Sequence, residues 1–228
     1  GTSQSSYGGA VSLVSGEGLA TSSGSVTIAT SISQTVSGEL ILKTANSDAN
    51  AGNFKLVSGK ASEKSGDIEL TIGASGDSEG GTISLVSGST SSGTGGDILI
   101  ASGDAPSGTG GNIEIKTGSG AGAASGNIVL SGGRGVSTGS NIEFIAGKGS
   151  GDAATGGSVV MDAGSGYQGG GVAISAGFST GSTGGSLIIR GGQSLESSSG
   201  SINVETANAG IAGVSGSIVL ETGTSSIG

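Results

Sequence analysis

The chain has 228 residues, 52 of them Gly, with one Pro, no Cys, no His, no Trp, 8 basic and 17 acidic side chains, and a net charge of −9. Aromatic residues make up 2% and charged residues 11%, too little for a thick globular core under a heavily charged surface. That balance excludes the basic stripe nucleic-acid binding needs, and no apolar run nears the ~20 residues that cross a bilayer, so neither nucleic acid nor membrane insertion is expected.

Read in chain order, one short unit recurs: Gly, a polar residue, Ile/Val, any residue, Leu/Ile, any residue, a small residue, Gly. Its first apolar position is Val11, Val26, Leu40, Phe54, Ile68, Ile83, Ile98, Ile113, Ile128, Ile142, Val159, Val172, Leu187, Ile202 and Ile218, fifteen occurrences 13–17 residues apart. Two residues on, every repeat has a second large apolar residue, from Leu13 and Ile28 to Val204 and Leu220. A spacing of two places the pair on one face of an extended segment. Two further on, the same face carries a small residue such as Ser15, Thr30, Ser87, Ala146 or Gly191, with Ile72 the exception.

A corner residue follows, Gly in most repeats and Ser31, Ala45 or Ala207 in the others. Glycine suits a positive φ or a close backbone approach. Two residues beyond lies another strictly small column, including Gly18, Ser33, Ser47, Thr90, Gly135, Ser179 and Ser194, read as pointing inward and packing. Repeat length varies only after the corner, as between Gly147 and Gly157, which marks the loop-tolerant side.

The pattern predicts an all-β chain: a single parallel β-solenoid (β-helix) of about fifteen coils with a 14–15-residue repeat and a thin core. Stacking would bury a continuous Ile/Leu ladder, and backbone groups would pair between coils at about 4.8 Å. Without a composition shift or charged linker, residues 1–228 read as one solenoid domain. The absence of a leader, an initiator Met and distinct capping repeats reads as a fragment of a longer repeat protein.

The outward positions carry the candidate chemistry. Ice binding would need regular Thr ranks, as on flat solenoid antifreeze proteins, yet only Thr27 and Thr71 occupy the outward columns. Acid–base catalysis would need clustered carboxylates. Glu69, Glu114 and Glu143 are separated by intervening repeats, and Glu205 is expected to form a charge ladder with Arg190. No enzymatic role is expected. A position alternating among Asp67, Asp97, Asn112, Asn127, Asn141 and Thr82 reads as turn chemistry or a short amide ladder rather than a regular metal site, so no metal or cofactor is expected. Sugar-stacking aromatics are sparse, with Tyr7, Tyr167 and Phe178 read as outward and apart in repeat order. One outward feature is apolar: Ile41, Val57, Val86, Leu99, Val129, Ile145, Val160, Ile188 and Val219 form a candidate lateral-contact face.

Units such as Gly96-Asp97-Ile98-Leu99-Ile100-Ala101-Ser102-Gly103 and Gly111-Asn112-Ile113-Glu114-Ile115-Lys116-Thr117-Gly118 resemble the Gly/Ser/Thr-rich repeats of very large surface and appendage proteins. Bacterial adhesins and algal wall, adhesive or flagellar-hair proteins are of this kind. The resemblance spans the whole chain and implies an extracellular or cell-surface location and a structural role. The expected function is thus a structural rod segment of an extracellular fibre, appendage or adhesive surface protein. Its expected partners are further repeats, copies of itself and surface glycans. The alternative is a binding solenoid for ice or surface polysaccharide.

Overall fold

The computed structural model describes residues 8–76, 79–122 and 124–225; Tyr7 lies outside them. Two units, Gly1–Ile113 and Glu114–Gly228, divide the chain within its eighth apolar pair. Both are built from the same repeat: an extended segment carrying the apolar pair, a corner, and a loop returning to the next segment.

The expected β-solenoid is not what forms. Among the described residues there is no β-strand and no helix, so the chain is neither all-β nor a parallel β-helix. A sheet requires N–H and C=O groups of successive segments to pair with one register throughout. Here the backbone bonds form inside single loops instead. The N–H of the Gly that opens a segment donates to the carbonyl of the preceding corner: Gly24 to Gly16, Gly96 to Gly88 and Gly111 to Gly103 in the first unit, all 2.9–3.0 Å. In the second unit Ser140 donates to Gly133, Gly157 to Gly147, Gly170 to Gly164, Gly185 to Gly177 and Gly200 to Gly192, at 2.9–3.2 Å. These closures span six to ten residues, so they tolerate the variation in loop length read from the sequence. Among the described residues the other backbone bonds of this kind are three short turns, Gly108 to Ala105, Ala154 to Gly151 and Gly213 to Gly210, so no ladder of bonds joins successive segments.

Loop closure follows the branching of the small residue at the end of the segment in every loop but one. Where it is Ser15, Ser87, Ser102, Ala146, Ala163 or Ala176, the leading Gly approaches and the closure forms. Where it is Thr30, Thr44, Thr117 or Thr206, the γ-methyl stands 3.6–3.9 Å from where a leading-Gly Cβ would lie. Ile72 crowds Gly81 in the same way, its γ-methyl only 2.7 Å from that Cβ position. None of those five loops is closed by this bond. The branch on Cβ, stiff at χ1, holds the base of the loop apart. Ser58 is the one unbranched residue beside an open loop, and nothing in the structure explains it.

Glycine is required at a different end of the loop than its corner frequency implies. Among the described residues no glycine has a positive φ, so the corner does not use that freedom. A Cβ on corner Gly88, Gly103, Gly147 or Gly177 would meet open space. A Cβ on the leading Gly185 would lie 3.0 Å from the backbone nitrogen of Gly177. Close approach thus selects the leading glycine. The single leading residue that is not Gly, Ser140, faces Gly132, so the side-chain volume has moved across the closure, and its Oγ donates to the Gly133 carbonyl at 3.2 Å.

The second small column also differs from its reading as packed interior. Its hydroxyls accept loop N–H groups: Thr90 Oγ1 from Gly93 at 3.2 Å, Ser179 Oγ from Ser182 at 2.9 Å, Ser194 Oγ from Ser197 at 2.9 Å. Ser33 and Ser47 do the same two residues on, from Thr35 and Ala49. Where the column holds Gly135 or Gly149, a loop carbonyl (Thr138 or Thr155) occupies the space a Cβ would take. Small residues are needed there to shape the loop, by short-range side-chain bonds or by backbone approach.

Burial is correspondingly modest. No described residue is fully buried. The half-buried ones are Ser15, Gly18, Ser58, Ser87, Ala146, Gly149, Ser179 and Ser194, all from the two small columns. The Ile/Leu ladder expected to form a continuous core is open: Ile113 is 52% and Ile115 67% exposed. The expected directions are not uniform: the outward Leu99 is 88% exposed, but the outward Val219, at 67%, is less exposed than the inner Leu220, at 87%.

Two outcomes are expected. Gly185→Ala speeds amide exchange at residue 185 about tenfold, because the new methyl meets Gly177, while Gly177→Ala leaves it unchanged or slower and adds about 0.4–1 kcal/mol of stability by restricting the unfolded chain. Ser87→Thr opens the Gly96–Gly88 closure, read as faster exchange of the Gly96 amide, whereas Ser87→Ala preserves it.

Candidate functional surface

Each repeat presents three surfaces: an inner face holding the leading Gly, the apolar pair and the small residue; an outer face of two columns; and the loop. Local contacts confirm the period of two on the outer face. Lys116 Nζ lies 3.0 Å from Glu114 Oε1, and Thr71 Oγ1 donates to Glu69 Oε1 at 2.8 Å. Both pairs join residues two apart on the same side. Lys64 and Asp67 form another exposed ion pair at 3.5 Å.

Charges between repeats do not converge. Arg190 and Glu205 make no ion pair, and Asn112, Asn127 and Asn141 make no amide ladder. Among the described residues no group of three His, Cys, Asp or Glu side chains could hold a metal ion. Nor is any helix among them long and apolar enough to cross a membrane. Among the described residues the ion pairs join side chains two or three residues apart.

The candidate lateral-contact residues Ile41, Val57, Val86, Leu99, Val129, Ile145, Val160, Ile188 and Val219 are all exposed. They are not continuous along the outer face, since Lys55, Glu69, Glu114 and Glu143 occupy the same column in other repeats. A further set of apolar side chains sits in the loops. Val136, Tyr167, Phe178, Leu195, Ile211 and Val214 are almost completely exposed. Tyr167 and Phe178 belong to consecutive loops, those after Val159 and Val172, rather than to separated ones. The signal for this set was present in the sequence: these residues fall between corner and leading Gly, off the segment register.

Compared with protein-family models, curated proteins and solved structures, the chain matches none.

Because both partners of the Glu114–Lys116 pair are largely exposed, its contribution is small. Glu114→Gln is expected to change stability by less than about 0.5 kcal/mol and to leave exchange of the neighbouring Gly111 amide unaltered.

Proposed function

We propose that this chain is a structural segment of an extracellular fibre, appendage or adhesive surface protein, acting by association rather than by catalysis. The observation that carries the reading is the recurrence of one unit with an uncharged inner face and no convergent polar site. A structural array needs only that its units repeat, so outer positions are free to vary as they do between Ser84, Leu99 and Glu114. Exposed apolar side chains in every repeat favour contact with other macromolecules over a life as an isolated chain. Resemblance to the Gly/Ser/Thr-rich repeats of large surface and appendage proteins supports the extracellular setting, with further repeats, copies of the chain and surface glycans as partners.

Immuno-electron microscopy of the source cells with antibodies to this segment tests the proposal. Labelling along surface filaments or an external matrix is the expected result. Labelling confined to the cell interior would overturn it. Thermal hysteresis, or saturable binding of a surface polysaccharide, by the purified chain without any filament labelling would instead favour the binding alternative.

A further inference from the structure

Aromatic side chains are scarce in this chain, which has two Tyr, three Phe and no Trp. Phe54 and Phe144 belong to the apolar pairs. Tyr167 and Phe178 instead stand in consecutive loops of the second unit, off the segment register. Both are open to solvent, Tyr167 completely and Phe178 at 91%.

The surroundings of the two rings are selective. No charged residue stands between Asp162 and Arg190, the longest charge-free run of the chain. Within the two loops, residues 164–170 and 177–185, every residue other than the rings is Gly, Ser, Thr or Gln. The remaining exposed apolar residues of the loops are aliphatic, and Val136 and Leu195 share their loops with Arg134 and Glu196.

Both loops are braced. Gly170 donates to the Gly164 carbonyl and Gly185 to the Gly177 carbonyl, each at 2.9 Å. Beside Phe178, Ser179 Oγ accepts the N–H groups of Gly181 at 3.4 Å and Ser182 at 2.9 Å. A Cβ on Gly166 would lie 3.1 Å from the Gln168 carbonyl oxygen, so the turn that carries Tyr167 is tight. A rigid ring on a loop already held by such bonds needs little further ordering to bind a ligand.

We propose that these two loops bind a neutral surface polysaccharide, its sugar rings stacking on Tyr167 and on Phe178. This deepens the structural reading above, on which it rests, by naming the residues that hold the glycan partner. The C–H groups of a pyranose ring carry the positive charge that the negative face of an aromatic ring attracts. Sugar hydroxyls donate and accept, and so do the Gln168 amide and the Thr180 and Thr183 hydroxyls of the same loops. An acidic polymer finds no cation there and meets a net charge of −9. The apolar core of a protein interface finds no aliphatic side chain in either loop to pack against.

The test is electrophoresis of the purified full chain in native gels cast with a polysaccharide. The neutral probes are galactomannan, xyloglucan and the neutral polysaccharide fraction of the source cells' surface; polygalacturonate is the acidic counterpart. Retardation by at least one neutral polymer, insensitive to salt, and none by polygalacturonate is the expected result. Tyr167→Ala combined with Phe178→Ala should weaken binding about tenfold or more. Tyr167→Phe should retain it, because the ring stacks and the hydroxyl does not. Val136→Ala combined with Leu195→Ala, also at almost fully exposed loop residues, should leave it unchanged. Protection of the Gly170 and Gly185 amides shows in each variant that the loop closures persist.

No retardation by any neutral probe, retardation as strong by polygalacturonate, or full binding by the Tyr167→Ala, Phe178→Ala variant overturns the proposal. So does an equal loss in the Val136→Ala, Leu195→Ala variant. Filament labelling on cells without retardation removes the glycan site and leaves the structural role standing. Retardation without filament labelling leaves the site and removes the structural role.

Discussion

One contact closes eight of the loops: the N–H of the leading residue against the carbonyl of the preceding corner, at the loop's base. It costs little side-chain volume, because the leading position is Gly in nearly every repeat and the residue across from it is Ser, Ala or Gly where the bond forms. Its dependence on sterics is sharp. The loops beside Thr30, Thr44, Thr117, Thr206 and Ile72 are all open, so closure goes with an unbranched residue at that position, Ser58 being the exception. The exchange of volume between Ser140 and Gly132 shows the same constraint from the other side.

Loop geometry follows from that base. Once the ends are fixed, the loop must turn back within six to ten residues. It does so by bonding N–H groups to Thr90, Ser179 or Ser194, or by bringing a carbonyl against Gly135 or Gly149. The abundance of Ser, Thr and Gly is thus a requirement of local backbone satisfaction, met repeat by repeat. It also explains why the best-shielded residues are the small ones and not the aliphatic pair. The repeat closes around its backbone and leaves its Ile and Leu side chains half in water.

That division of labour has a consequence for function. A globular protein hides its apolar residues to stabilise itself; here the apolar pair of each described repeat stays about half exposed or more. Surfaces of this kind are rare on isolated soluble chains and common where association completes the packing. Dispersed charges on the outer face, paired locally as in Glu114 with Lys116, are suited to solvent rather than to chemistry.

The sequence by itself determined the repeat, the spacing of two within each apolar pair, and the side on which length varies. Each of these depends only on spacing along the chain: the two-residue period of Ile113 and Ile115, the Gly at both ends of most loops, the variable span from Gly147 to Gly157. The outer-face contacts of Glu69 with Thr71 follow from the same period. Tertiary structure decided whether successive segments pair, which glycine is sterically required, and what the second small column does. Pairing between segments depends on where the N–H and C=O groups of one segment lie relative to the next, and a one-dimensional pattern does not contain that relation. Nor does a pattern of small residues distinguish a packed interior from a hydroxyl that accepts a loop N–H, since both demand the same size and only the position of the neighbouring backbone separates them.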